Sequence, residues 1–168
     1  MIIAVMSDSH DNIWNMRRAL SIIRDEKAGM IIHCGDFVAP FMLHELEEAG
    51  IPVHGVFGNN DGDQYLMTKI SLTTLKNITL HGLVGEVDAG DFPVAFTHQG
   101  IVGEGLASTG KYKMVCCGHS HVHLEKRTKD TILLNPGELM GKDGNPGFCL
   151  VDTENMRVKR VSLAGRDA

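Results

Sequence analysis

Ile2-Ile3-Ala4-Val5-Met6-Ser7-Asp8-Ser9-His10 sets how the rest of the chain is read. Five apolar residues, three of them β-branched, form an uninterrupted run, the pattern of a short strand buried on both faces. The run then breaks into four polar residues, with Asp8 and His10 two positions apart. In an extended chain, residues at that spacing project to the same side. Polar donors at the carboxyl end of a buried strand sit where open α/β sheets hold their ligands.

The same signature recurs downstream. Met30-Ile31-Ile32-His33-Cys34 runs into Gly35-Asp36, and Pro52–Phe57 runs into Gly58-Asn59-Asn60-Asp61. Pro93-Val94-Ala95-Phe96 runs into Thr97-His98, and Met114-Val115-Cys116-Cys117 into Gly118-His119-Ser120-His121. Between the first three strands lie two helical patterns. Asn12 caps one that carries Ile13, Met16, Ala19, Leu20 and Ile23, and Gly29 closes it; Pro40 opens the other through Phe41, Leu43, Leu46 and Ala49, before Gly50. This β-α-β-α-β order predicts parallel strands joined by right-handed crossovers.

From residue 77 the rhythm becomes that of hairpins. The runs 78–84 and 93–96 flank the turn-rich Asp88-Ala89-Gly90-Asp91. Residues 122–127 and 131–134 surround Thr128-Lys129-Asp130, and 147–152 and 156–163 surround Thr153-Glu154-Asn155. No repeat, low-complexity tract or linker interrupts the 168 residues, so a single α/β domain with two sheets over residues 1–168 is expected.

Composition narrows the function. The net charge is −5 and the sixteen basic residues are scattered, with Lys126, Arg127 and Lys129 reading as a solvated hairpin tip. Extended nucleic-acid binding needs clustered Lys and Arg, and is not expected. Aromatics at 5% argue against a stacking platform for single strands. The longest apolar run, Met1 to Met6, falls far short of the roughly 20 residues of a spanning helix, and no basic segment precedes it as in a signal peptide. Cys34, Cys116, Cys117 and Cys149 form no C-x-x-C pair and read as reduced, buried thiols. That fits a cytoplasmic protein.

Nine histidines and nineteen glycines point to a polar site built from loops. Asp8, His10, Asp36, Asn59, His98, His119 and His121 are seven nitrogen and oxygen donors at five strand ends, without a thiolate among them. Such donors suit first-row divalent ions such as manganese, iron, nickel or zinc. Seven are too many for one tetrahedral ion, whereas one shared carboxylate would give two ions four ligands each. Singly, a Gly-Asp or Gly-Asn marks a turn and a strand-end His is a hydrogen-bonded loop residue. Five such clusters in strand context read differently. Of the remaining histidines, His33 and His54 are expected to pack or support and His44, His81 and His123 to play surface or structural roles, while Asp11 and Asp61 should organise loops.

Asp8-x-His10, Gly35-Asp36, Gly58-Asn59-x-Asp61, Thr97-His98 and Gly118-His119-Ser120-His121, in this order, resemble the calcineurin-like metallophosphoesterase superfamily. Within it the chain is similar to short, single-domain microbial phosphodiesterases, up to Asn135-Pro136-Gly137 before the terminal hairpin. The resemblance implies a four-layer αββα sandwich with two mixed β-sheets. It implies two divalent metal ions per chain, manganese or nickel first, with iron, zinc or magnesium as alternatives. One ion falls to Asp8, His10, Asp36 and His121, the other to Asp36, Asn59, His98 and His119, with Asp36 bridging. The implied reaction is in-line attack of a metal-bridging hydroxide on a small phosphodiester or nucleotide-like substrate, with Asp36, Asn59 and His98 at the reacting centre. A homodimer or homotetramer is compatible with it.

Two positions depart from the family pattern. Many members carry a His after the metal-binding Asn, able to protonate the leaving group, where this chain has Asn60. An amide is no general acid, so good leaving groups are favoured. After His98, where Gly-His is common, the chain has Gln99-Gly100, one polar group fewer at the second ion. Both departures also fit an alternative, a non-catalytic interaction scaffold of the same fold like the retromer-complex subunit. The seven intact donors weigh against it.

Overall fold

The structure, a computed structural model, describes residues 1–128 and 130–164; Lys129, assigned above to a hairpin tip, lies outside the described residues. Five strands and three helices come first: β1 (Ile2–Met6), α1 (Ile13–Asp25), β2 (Met30–His33), α2 (Phe41–Glu47), β3 (Val53–Gly55), α3 (Gln64–Thr73), β4 (Ile78–Leu80) and β5 (Val84–Asp88). Then come β6 (Pro93–Thr97), α4 (Gly100–Ser108), β7 (Met114–Cys116), β8 (His123–Thr128), β9 (Thr131–Pro136), β10 (Gly147–Asp152) and β11 (Arg157–Ser162).

The strands form two mixed sheets, of order β11-β10-β1-β2-β3-β4 and β5-β6-β7-β9-β8. In the first, β1 lies parallel to β2 with Val5 opposite Ile32, and antiparallel to β10 with Val5 opposite Cys149. β6, β7 and β9 are parallel neighbours in the second.

Three apolar layers hold four structural layers together. Ile3, Val5, Ile32, Phe96, Met114, Cys116, Leu134 and Val151 are buried between the sheets. Met16, Ala19, Leu20 and Ile23 of α1, at helical spacing, join Met42, Leu43 and Leu46 of α2 and Met67 of α3 on the outer face of the first sheet. Ala107 of α4 packs with Ala95, Val115 and Leu133 on the outer face of the second. The result is an αββα sandwich, and all four cysteines are buried free thiols. No helix among the described residues is long and apolar enough to cross a membrane.

Asn12 caps α1 as its side chain predicts, its Oδ1 accepting from the Asn15 N–H at 3.0 Å. Other expectations need correction. The run 78–84 is not one hairpin strand. It divides at Gly82 (φ +78°), with β4 joining the first sheet parallel to β3 and β5 pairing with β6 in the second. Two helices have no counterpart in the pattern analysis. In α3 the apolar residues do not fall on one face, and Tyr65 and Leu72 remain exposed. α4 contains Gly100, Gly103 and Gly105, each a weak helix former. Gly103 lets α4 approach the sheet closely, since a Cβ there would lie 3.3 Å from that of Cys117.

Candidate metal centre

β1, β2, β3, β6 and β7 all deliver their carboxyl ends to one edge of the sandwich, and the loops after them carry the seven candidate donors. Beyond β1 and β2 the parallel pairing continues through backbone bonds, from Asp8 N–H to Gly35 O at 3.0 Å and from His10 N–H to Asp36 O at 3.1 Å. These loops are not extended, as the i, i+2 argument supposed. Asp8 (φ 53°), His10 (40°), Asp36 (60°), His119 (70°) and His121 (61°) are all left-handed. Side chains rarely adopt that conformation, and the surrounding contacts must impose it. The donors converge nonetheless.

Two glycines are required by close approach. A Cβ on Gly58 would lie 2.1 Å from Asp36 Oδ1, and one on Gly118 would lie 2.0 Å from Ser7 Oγ. Asp61 fixes the same corner, accepting from the N–H groups of Asp36, Val38 and Gly58 at 3.1, 2.8 and 2.7 Å. Asp11 accepts from Ala39 N–H. Both act as the loop organisers expected of them.

On one side, Asp8, His10 and His121 face one another. His121 Nε2 is 3.3 Å and His10 Nε2 3.9 Å from Asp8 Oδ1, while His10 Nε2 is 3.3 Å from Asp36 Oδ2. On the other side, Asn59 Oδ1 lies 3.0 Å from His98 Nε2 and 2.8 Å from His119 Nδ1, and His98 Nε2 is 3.5 Å from Asp36 Oδ2. Asp36 Oδ2 therefore stands between the two donor sets. His119 faces Asn59 with Nδ1, the other three histidines face the centre with Nε2.

The electrostatics fit cations. Asp8 Oδ1 and His10 Nε2 are buried with no aligned hydrogen-bond partner among the described residues, which costs free energy unless something else satisfies them. His98 Nδ1 sits 2.8 Å from the Cys34 carbonyl, an acceptor, so that nitrogen carries the proton. In a neutral ring the Nε2 lone pair then points at the oxygens of Asn59 and Asp36. Lone pairs converging at such distances are an arrangement that could hold a metal ion. The Asp36 and Asp8 carboxyls beside His10 push its pKa up to about 9. Burial would raise Asp36, but His10 and the N–H and amide of Asn60 outweigh it and hold this carboxyl well below the usual range. A divalent ion would take the place of the proton on His10.

The other histidines stay outside. His33 is stacked on Phe37 with its Nε2 3.0 Å from Ser9 Oγ, and burial pushes it down to about 3. His54 and His81 contact each other at 3.0 Å, and His123 faces the Asn135 carbonyl. Two acidic residues at the centre had no part in the motif analysis. Glu138 Oε2 and Asp143 Oδ2 lie 3.3 and 3.5 Å from His121 Nδ1. The available signal was an acidic residue set between Asn135-Pro136-Gly137 and the apolar Leu139-Met140.

The site opens into a cavity of about 490 Å³ lined by His10, Asp36, Asn59, His119, His121 and Lys142 among others. A second cavity of about 350 Å³ adjoins it at Asn59 and is walled by Phe57, Leu83, Val84 and Val102.

Comparison with known proteins identifies relatives across nearly the whole chain. A phosphodiesterase of Methanocaldococcus jannaschii is 32% identical over 169 residues, covering 97% of this chain and 99% of its own. The solved structure of an archaeal phosphodiesterase superposes with a TM-score of 0.88 at 31% identity, over 97% of this chain and all of the other. Vps29 of Chaetomium thermophilum shares the fold, with a TM-score of 0.70 at 17% identity over 96% of each chain. The profile of the calcineurin-like phosphoesterase superfamily domain matches residues 1–156. On that match and that identity, the chain belongs to the calcineurin-like phosphoesterase superfamily and is a metal-dependent phosphoesterase.

Proposed function

We propose that this protein, a single domain over residues 1–168, hydrolyses small phosphodiesters or nucleotide-like esters with two divalent ions that share Asp36. The position of Asp36 Oδ2, 3.3 Å from His10 Nε2 and 3.5 Å from His98 Nε2, is the observation that carries this reading. Asp8, His10, Asp36 and His121 hold one ion, and Asp36, Asn59, His98 and His119 the other. Manganese or nickel suits this mixed imidazole, amide and carboxylate set. Two such ions supply a nucleophile at neutral pH and neutralise charge building on the phosphoryl oxygens.

The chain's own residues do the positioning. The Cys34 carbonyl fixes the His98 ring, and the Asp61 carboxyl fixes the loops that carry Asp36 and Asn59. No imidazole follows Asn59, so the leaving oxygen departs with little protonation from the protein and stable leaving groups are preferred. The apolar cavity beside Asn59 and His98 suits a flat ester group such as an aryl ring or nucleobase. A cytoplasmic location accords with four free, buried thiols.

The scaffold alternative leaves two complete donor sets without a task. Manganese content and turnover of a chromogenic phosphodiester, measured on stripped and reloaded protein, separate the two readings. About two ions per chain with metal-dependent turnover is expected. No turnover with manganese, nickel, iron, zinc or magnesium would leave the scaffold.

A further inference from the structure

Glu138 is among the most deeply buried charged side chains, 1% exposed, at the turn after β9. Its backbone is locked from both sides: its carbonyl accepts from Gly147 N–H at 2.9 Å, and the next residue, Leu139, donates to Ser7 O at 3.0 Å. Oε1 accepts from the Asp143 N–H at 2.7 Å. Oε2 is buried without a hydrogen bond among the described residues, and His121 Nδ1 lies 3.3 Å away. An unmet buried carboxyl oxygen is costly and needs a physical account.

The other face of the same ring supplies it. His121 Nε2 points at Asp8 Oδ1, 3.3 Å away, on the side where the first ion is proposed. An imidazole that gives one nitrogen to a metal carries its proton on the other, and an acceptor there fixes both tautomer and ring angle. His98 already has such an acceptor in the Cys34 carbonyl. Asp143 also reaches His121 Nδ1, at 3.5 Å, but it is 63% exposed and solvent weakens its hold.

We infer that Glu138 is a positioning residue of the first metal site, accepting the Nδ1–H of His121 through Oε2 while Oε1 ties down the loop at Asp143. This rests on the two-ion reading insofar as it takes His121 as a ligand. A third cation held by His121, Glu138 and Asp143 is the competing use of the same cluster. It would require both ring nitrogens of His121 to ligate at once.

The test uses the whole protein and manganese or zinc alone as probe. Glu138→Gln keeps the side chain's shape and one acceptor oxygen. Titration should show one of two manganese sites weakened about 10–100-fold and the other unchanged. Asp143→Asn should stay within about twofold of wild type at both sites. In zinc-loaded wild-type protein, nitrogen-resolved NMR should find the His121 proton on Nδ1, in slow exchange with solvent, which needs no variant to fold. Unaltered affinity at both sites in Glu138→Gln, a proton on Nε2, or three ions in wild type falling to two in the variant would each overturn the assignment. A wild type that binds no ion would overturn the two-ion reading together with it.

Discussion

Asn60 holds both oxygens of Asp36: its backbone N–H donates to Oδ1 and its side-chain amide to Oδ2, each at 2.8 Å. The residue that departs from the family pattern thus grips the carboxyl proposed to be shared. The two bonds differ in kind, because the backbone bond survives any substitution at position 60 except proline and the amide bond does not.

Asn60→His should therefore keep both ions, since Asp36 retains the backbone bond and position 60 is not a proposed ligand. In the wild type, rates across phosphodiesters of graded leaving-group pKa should fall steeply. The variant should flatten that slope, with gains of up to roughly 10²-fold confined to poor leaving groups. A flat wild-type slope with chemistry rate-limiting would mean that another group donates the proton. Loss of an ion in the variant would make Asn60, not Asn59, the ligand.

Asp36→Asn should empty both sites together. The substitution removes the one charge facing both His10 and His98, while the Asp36 N–H bond to Asp61 at 3.1 Å is kept. Losing several kcal/mol of charge stabilisation corresponds to a fall of about 10³-fold or more in turnover. Elemental analysis and circular dichroism check it together. A folded variant still holding one ion at wild-type affinity would show that the sites are independent.

Metal loading should release a proton near neutral pH. Asp36 and Asp8 raise His10 from its ordinary 6.5 to about 9, so the metal-free protein carries His10 protonated at pH 7. A raised folded-state value stabilises the metal-free fold fully below pH 6.5, and that contribution fades as pH rises through about 9. A divalent ion must displace this proton, so affinity at that site should rise about tenfold per pH unit between 7 and 9. Calorimetry in buffers of differing ionisation enthalpy counts the released proton. Equal heats in all of them would contradict the assignment of His10 as a ligand.

Gly118→Ala should damage the site from behind. Its Cβ would meet Ser7 Oγ at 2.0 Å and Asp8 Oδ2 at 2.9 Å, so the loops bearing Asp8 and His119 must separate. Overpacking of this kind costs about 1–3 kcal/mol. A lowered melting temperature with weakened binding at the Asp8 site is expected, whereas Gly105→Ala in α4, with open space around it, should leave metal affinity intact. Similar metal affinities in the two variants would refute it.

Much of the centre was legible because its donors follow buried strands. Each apolar run names a strand, and the polar residues after it must lie at that strand's end, whatever the loop geometry. For that reason Asp8, His10, Asp36, Asn59, His98, His119 and His121 could be gathered although the backbone at five of them is left-handed and not extended. The same logic failed at residues 78–84, where an unbroken strand-like pattern conceals a change of sheet at Gly82. It failed again for α4, whose three glycines oppose helix formation locally and are outweighed by packing on the second sheet.

The sequence by itself determined the alternation of the first three strands with two helices, the capped start of α1 and the candidate donors, because these depend on spacing along a few neighbouring residues. Only the tertiary structure decided which oxygen of Asp36 faces both histidines, that Asn60 grips it, and that Glu138 meets His121. These contacts join residues from 17 apart, as Glu138 and His121, to 62 apart, as Asp36 and His98, and the bond from the His119 N–H to Asp8 Oδ2 at the same centre spans 111. No local pattern encodes them, since each depends on how two sheets and their loops pack to bury the same polar atoms.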